Sequence, residues 1–160
     1  MTKLILFLLF AFLQLARVHS ETLSPTTNST ITLYSNTAKG FIGPAFRSVK
    51  NGAPVAVLQS GQVLFGLVDL GNGTYNIKSL ITGYLWTLIQ QSKQDIVTLS
   101  AAKVNDDSQA WILIESESGQ FHIQSVATKD VVQAVNEYEA PLILKKQDLN
   151  HMQLFDLYYQ

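Results

Sequence analysis

One seven-residue pattern occurs three times in this chain: STITLYS at 29–35, GTYNIKS at 73–79 and GQFHIQS at 119–125. Each copy runs from a small residue through a polar one to two large residues spaced two apart, and closes on serine. Alternation of that kind, entered from a turn, describes a half-buried β-strand. Self-similarity at a fixed period constrains the fold more than any local propensity does, because each copy must become the same structural unit.

The segment after each copy recurs as well. A turn (residues 36–40, Thr82-Gly83, Thr128) leads to a short apolar strand at Phe41-Ile42, at 84–86 and at Val131-Val132. A third strand comes next, APVAVLQ at 53–59, Val97 with Leu99, and APLILKK at 140–146. The fourth opens on a glutamine and an aromatic residue: QVLF at 62–65, QAW at 109–111 and QLF at 153–155. No stretch carries the 3.6-residue period of a helix for long enough to form one. The expectation is an all-β domain of twelve short strands in three units, about 29–69, 73–115 and 119–159.

The first twenty residues stand outside this pattern. Lys3 supplies a positive start, residues 4–15 are almost unbroken apolar, and Val18-His19-Ser20 is a small-residue cleavage site, which reads as a secretory signal peptide. Residues 21–28, polar and aperiodic, read as a flexible leader. Without Lys3 and Arg17 the remaining chain has nine basic against twelve acidic residues, a net charge of −3. That balance provides no field for nucleic acid or anionic lipid, and no other apolar run is long enough to span a bilayer. A secreted, extracellular location is expected. Cysteine is absent, so packing rather than disulfides must stabilise the domain. Asn28-Ser29-Thr30 and Asn72-Gly73-Thr74 are N-glycosylation sequons at the turns entering two repeated strands.

Catalytic signatures are missing: the sequence has no GxSxG, HExxH or phosphate-binding glycine loop. No cofactor and no metal site are expected. Asp106-Asp107 and the Glu137, Glu139 pair read as solvated loop charges, too few to ligate calcium. His122, between the inward Phe121 and Ile123, should face solvent. Phe65, Trp111 and Phe155 open equivalent strands and should form an aromatic core layer, with the preceding glutamines holding backbone groups. Trp86, in register with Ile42 and Val132, also reads as core.

Three units of four strands with Gln-x-aromatic near the end resemble the ricin-B-type β-trefoil lectins, and in detail the small fungal trefoil lectins that begin on a GxYxI strand. The resemblance spans 29–160 and implies a β-trefoil with pseudo-threefold symmetry, no catalytic activity and a glycan partner. In those lectins an aspartate follows the second strand's apolar pair, an aromatic stands on the next loop, and an asparagine precedes Gln-x-Trp. The residues here in the aspartate's place are Gly43, Thr87 and Gln133, none acidic. The third unit is the expected carbohydrate site, with Asp130, Gln133, Asn136, Tyr138 and Asn150, and Tyr84 of the second unit is an alternative platform. The resemblance also extends to fungal trefoil protease inhibitors; a protease partner would be met by an extended loop at 40–54 or 90–95.

Overall fold

The computed structural model describes residues 28–148 and 150–160; the expected signal peptide and all of the leader except Asn28 lie outside them. Among the described residues twelve strands form, in the three groups of four that the repeat requires. The first unit comprises β1 (Thr30–Ser35), β2 (Gly40–Pro44), β3 (Ala53–Leu58) and β4 (Phe65–Gly71). The second comprises β5 (Thr74–Ser79), β6 (Leu85–Ile89), β7 (Ile96–Ser100) and β8 (Trp111–Glu115). The third comprises β9 (Phe121–Ser125), β10 (Val131–Gln133), β11 (Ile143–Lys145) and β12 (Asp156–Tyr159). Three single turns of 3-10 helix, Ala45–Arg47, Asp107–Gln109 and His151–Gln153, complete the described elements. None of these helices is long and apolar enough to cross a membrane.

The pairings close on themselves. First and last strands of the units run β1–β4–β5–β8–β9 by antiparallel ladders. A bridge between Phe121 and Phe155 joins β9 to β12, and β12 returns to β1. The result is a six-stranded barrel without a free edge, which removes the template for edge-to-edge association. The middle strands make three hairpins, β2–β3, β6–β7 and β10–β11. These meet through β3–β7, β7–β11 and a bridge between Ala56 and Pro141. Six barrel strands capped by a triplet of hairpins make a β-trefoil.

The core sits on the pseudo-threefold axis. Ile31, Leu33, Tyr75, Ile77 and Ile123 point inward, as do Val55, Val97 and Leu142 from the hairpins. Phe65, Trp111 and Phe155 are fully buried, which is the expected aromatic layer. Trp86 is also fully buried and stands edge-on to both Phe65 (centroids 5.5 Å apart) and Trp111 (6.1 Å). Edge-to-face pairs add about 0.5–1.5 kcal/mol each beyond the area they bury. Trp86 is therefore core, as its register with Ile42 and Val132 implies.

One strand face departs from simple alternation. His122 does not face solvent: it is 9% exposed, and its Nδ1 lies 3.0 Å from the Gln153 carbonyl oxygen, to which it donates. The Gln153 carbonyl, at the end of the 3-10 turn His151–Gln153, meets it on the outer face of β9. In the second unit Asn76 occupies the same place and donates its amide to the Gln109 carbonyl at 2.7 Å. His122 is thus the third unit's counterpart of a structural asparagine.

Candidate glycan site of the third unit

Two of the three Gln-x-aromatic glutamines are buried hubs. Gln109 accepts from the Lys103 amide at 2.8 Å and donates to the Thr87 hydroxyl and the Ala101 carbonyl, both at 2.9 Å. Gln153 repeats this, accepting from the Asp148 amide at 3.0 Å and donating to the Lys146 carbonyl at 2.9 Å and to Gln133 Oε1 at 3.4 Å. Each is delivered inward by its 3-10 turn, which is capped by a side chain three residues before the glutamine. Asp106 accepts from the Ser108 amide at 3.0 Å, and Asn150 from the Met152 amide at 2.9 Å. Satisfying an orphan N–H at a helix start is the ordinary use of Asp and Asn. The signal for this role is the spacing Asx-x-x-Gln-x-aromatic, which only the second and third units carry.

The first unit lacks the cap. Gln59 stands where Asp106 and Asn150 do, and Gln62 is exposed, contrary to the expectation that it holds backbone groups. Val63 turns inward instead, filling the space beside Gly43, where a Cβ would come within 2.6 Å of the valine side chain.

These differences decide what each unit presents at the position after the second strand's apolar pair. Gly43 offers no side chain and is sealed by Val63. Thr87 is buried, its hydroxyl bonded to Gln109. Gln133 alone of the three keeps a polar side chain that is only half-buried, at the end of β10, steadied through its Oε1 by Gln153.

The other expected site residues distribute unevenly around it. Asp130 Oδ1 lies 3.3 Å from Lys146 Nζ, on the strand pair that also carries Gln133. That lysine is almost wholly in water, so the ion pair contributes little to stability. Asn150 lies on the turn that holds Gln153, with its carboxamide oxygen used in capping. Asn136 and Tyr138 are exposed on the loop after β10. Tyr138, 44% exposed, leans toward the first unit, its hydroxyl donating to the Lys39 carbonyl at 3.4 Å. Asp130, Gln133 and Asn150 are therefore gathered around Lys146 and Gln153, whereas Tyr138 stands across a gap between units. Tyr84 is half-buried and packs against the core. Both sequon asparagines are exposed, Asn28 and Asn72 at left-handed turn positions with φ of 68° and 54°.

The loops named for a protease are not extended. Residues 40–54 comprise β2, a 3-10 turn with Phe46 and Arg47 at positive φ, and the start of β3. Residues 90–95 are folded back, the Gln91 amide on the Asp95 carboxylate and the Gln94 amide on the Leu144 carbonyl.

Sequence missed two depressions at the seam between the first and third units. A cleft of about 600 Å³ is lined by Asn36, Thr37, Lys39, Ser118, Gln120, His151 and Asp156. Beside it a groove of about 490 Å³ is walled by Tyr34, Phe41, Tyr158 and Tyr159, with Gln62 and Gln160. Burial, and after it the Asp156 carboxylate, raises the Tyr158 phenol above the ordinary tyrosine range, so it stays a hydrogen-bond donor.

No protein-family model and no curated protein matches the sequence. Solved structures do match the fold. The designed threefold-symmetric protein ThreeFoil superposes with a TM-score of 0.72 at 20% identity, over 80% of this chain and 96% of that one. The BEL β-trefoil does so with 0.70 at 16%, over 87% and 98%. The Rhizoctonia solani agglutinin gives 0.70 at 15%, over 83% and 96%. The chain is a β-trefoil, of the same architecture as these proteins.

Proposed function

We propose that this chain is a secreted, non-catalytic carbohydrate-binding protein of the ricin-B-type trefoil lectins, glycosylated at Asn28 and Asn72, with its binding competence in the third unit. The observation that carries the reading is the asymmetry at Gly43, Thr87 and Gln133: one of three equivalent positions has an oriented polar side chain that is only half-buried. Asp130, through Lys146, and Asn150, through the turn that carries Gln153, stand on the segments adjoining it, and planar amides and carboxylates are the groups that match vicinal sugar hydroxyls. Tyr138 leans on the Lys39 turn, outside that cluster, and would offer its aromatic face only to a ligand long enough to extend from Gln133 to it. An agglutinin among the proteins of the same fold supports the reading, as the N-terminal signal supports secretion.

The test is a glycan array probed with the purified secreted protein and its Gln133→Ala variant. Gln133 is bonded to Gln153 only at 3.4 Å, while Gln153 keeps its 2.9 Å bond to Lys146, so the variant should fold. Losing one well-placed amide should weaken binding about tenfold, equivalent to roughly 1.4 kcal/mol, while Lys93→Ala in the second unit changes nothing. Binding unaffected by both Gln133→Ala and Tyr138→Ala would remove the third unit from the account.

A further inference from the structure

The three barrel seams are equivalent by register, and one of them breaks the pattern. Across them Lys78 faces Gly66, Gln124 faces Ile112, and Tyr34 faces Asp156. At the first of these seams Leu80 packs over Gly66, its Cδ2 within 3.3 Å of where a Cβ would stand. At the second the corresponding residues are Val126 and Ile112. At the third they are Asn36 and Asp156, hydrogen-bonded to each other. An apolar filler suffices for the barrel twice, so the barrel does not require the polar pair.

That pair is organised toward an opening. The Asp156 carboxylate accepts from three neutral donors: the Asn36 amide, the Gln120 amide at 2.9 Å and the Tyr158 hydroxyl at 3.3 Å. A carboxylate has about four acceptor positions, so one remains for a ligand, and its orientation is already set. It forms a wall of the 600 Å³ cleft. Tyr158, 47% exposed, carries the same hydrogen-bonded array into the neighbouring aromatic groove. Polar cleft and aromatic groove adjoin where Asp156 of the first accepts from Tyr158 of the second and pairs in register with Tyr34.

We propose that this seam is a second glycan site, of different construction from the third-unit site, for two adjoining residues of a neutral oligosaccharide. It rests on the reading of the protein as a lectin. The first sugar places a vicinal diol against Asp156, Asn36 and Gln120; the second lays its C–H face on Tyr158 and Tyr34. A neutral ligand is specified because the carboxylate's hydrogen-bond partners are all neutral and Lys39, which lines the same cleft, offsets its charge, so the cleft has no net charge with which to select an ionised ring. Since Gly66 and Ile112 replace the aspartate elsewhere, the site occurs once.

The test is a 15N-observed NMR titration of the secreted protein with maltotriose, cellotriose, chitotriose and xylotriose in turn. The readout is the side-chain amide signals of Asn36 and Gln120. One of the four should move both, and Tyr158→Ala should weaken that response about tenfold. Asn36→Leu, which installs the second unit's own filler at this seam and is read at the Gln120 amide alone, should abolish the response there without loss of fold, while Gln133→Ala leaves it intact. Four silent titrations at Asn36 and Gln120, or wild-type response in both seam variants, overturn the seam site. If glycans still bind around Gln133 in that case, the lectin reading survives; if the array is also blank, both fall.

Discussion

Replacing Gln109 by alanine should destabilise the domain far more than the same change at Gln62, although both glutamines occupy the same repeat position. Gln109 is buried and makes three hydrogen bonds of 2.8–2.9 Å, two of them to backbone groups. Each such bond contributes about 1 kcal/mol net, and a buried partner left without one costs about 1–3 kcal/mol. The Lys103 N–H, the Ala101 carbonyl and the Thr87 hydroxyl would all lose a partner, so the loss should be about 3–4 kcal/mol. Gln153→Ala should cost slightly less, since its third bond is 3.4 Å long. Gln62 is exposed, and its replacement should stay within about 0.5 kcal/mol of wild type. The assay is urea unfolding followed by tryptophan emission. Trp86 and Trp111 are both fully buried, so the signal reports the core. A cost below about 1 kcal/mol at Gln109, or equal costs at Gln62 and Gln109, would refute the two-hub account.

Further outcomes rest on single contacts. Trp111 Nε1 donates to the Trp86 carbonyl at 3.1 Å, whereas Trp86 Nε1 has no acceptor among the described residues. Trp111→Phe should therefore cost about 1 kcal/mol more than Trp86→Phe in the same unfolding experiment. His122→Asn should be tolerated within about 0.5 kcal/mol, because Asn76 does the same work one unit earlier, while His122→Ala should cost about 1–2 kcal/mol; thermal melts of the two variants check this. A Cβ on Gly40 would stand 2.5 Å from the Leu58 carbonyl oxygen and 2.5 Å from Val57. Gly40→Ala should consequently lose about 2 kcal/mol or more through overpacking against backbone that cannot yield.

The architecture was legible because three in-phase copies constrain one another: a strand doubtful in one unit is supported by its counterparts in two. The same comparison placed Trp86 in the core, through its register with Ile42 and Val132. What escaped notice involves groups that alternation does not see. His122 sits on the outer face of its strand, where a partner 31 residues away, the Gln153 carbonyl, meets its ring. Gln62 fails because the extra residue in QVLF shifts Val63 into the inward position, and because Gln59 cannot cap as Asp106 and Asn150 do. The loop candidates do not come together as the spacing implied: Gln133, Asp130 and Asn150 adjoin Gln153 and Lys146, whereas Tyr138 leans on the Lys39 turn. The seam cleft joins Asn36 to Asp156 across 120 residues, a juxtaposition created by barrel closure and carried by no local pattern.

The central claim is that a glycan is what this trefoil binds. The most direct measurement is a glycan array probed with the purified, enzymatically deglycosylated protein, run beside a panel of serine and cysteine proteases. The account predicts a discrete set of bound glycans, weakened about tenfold by Gln133→Ala, and full protease activity in its presence. A blank array, or stoichiometric inhibition of a protease, would contradict it.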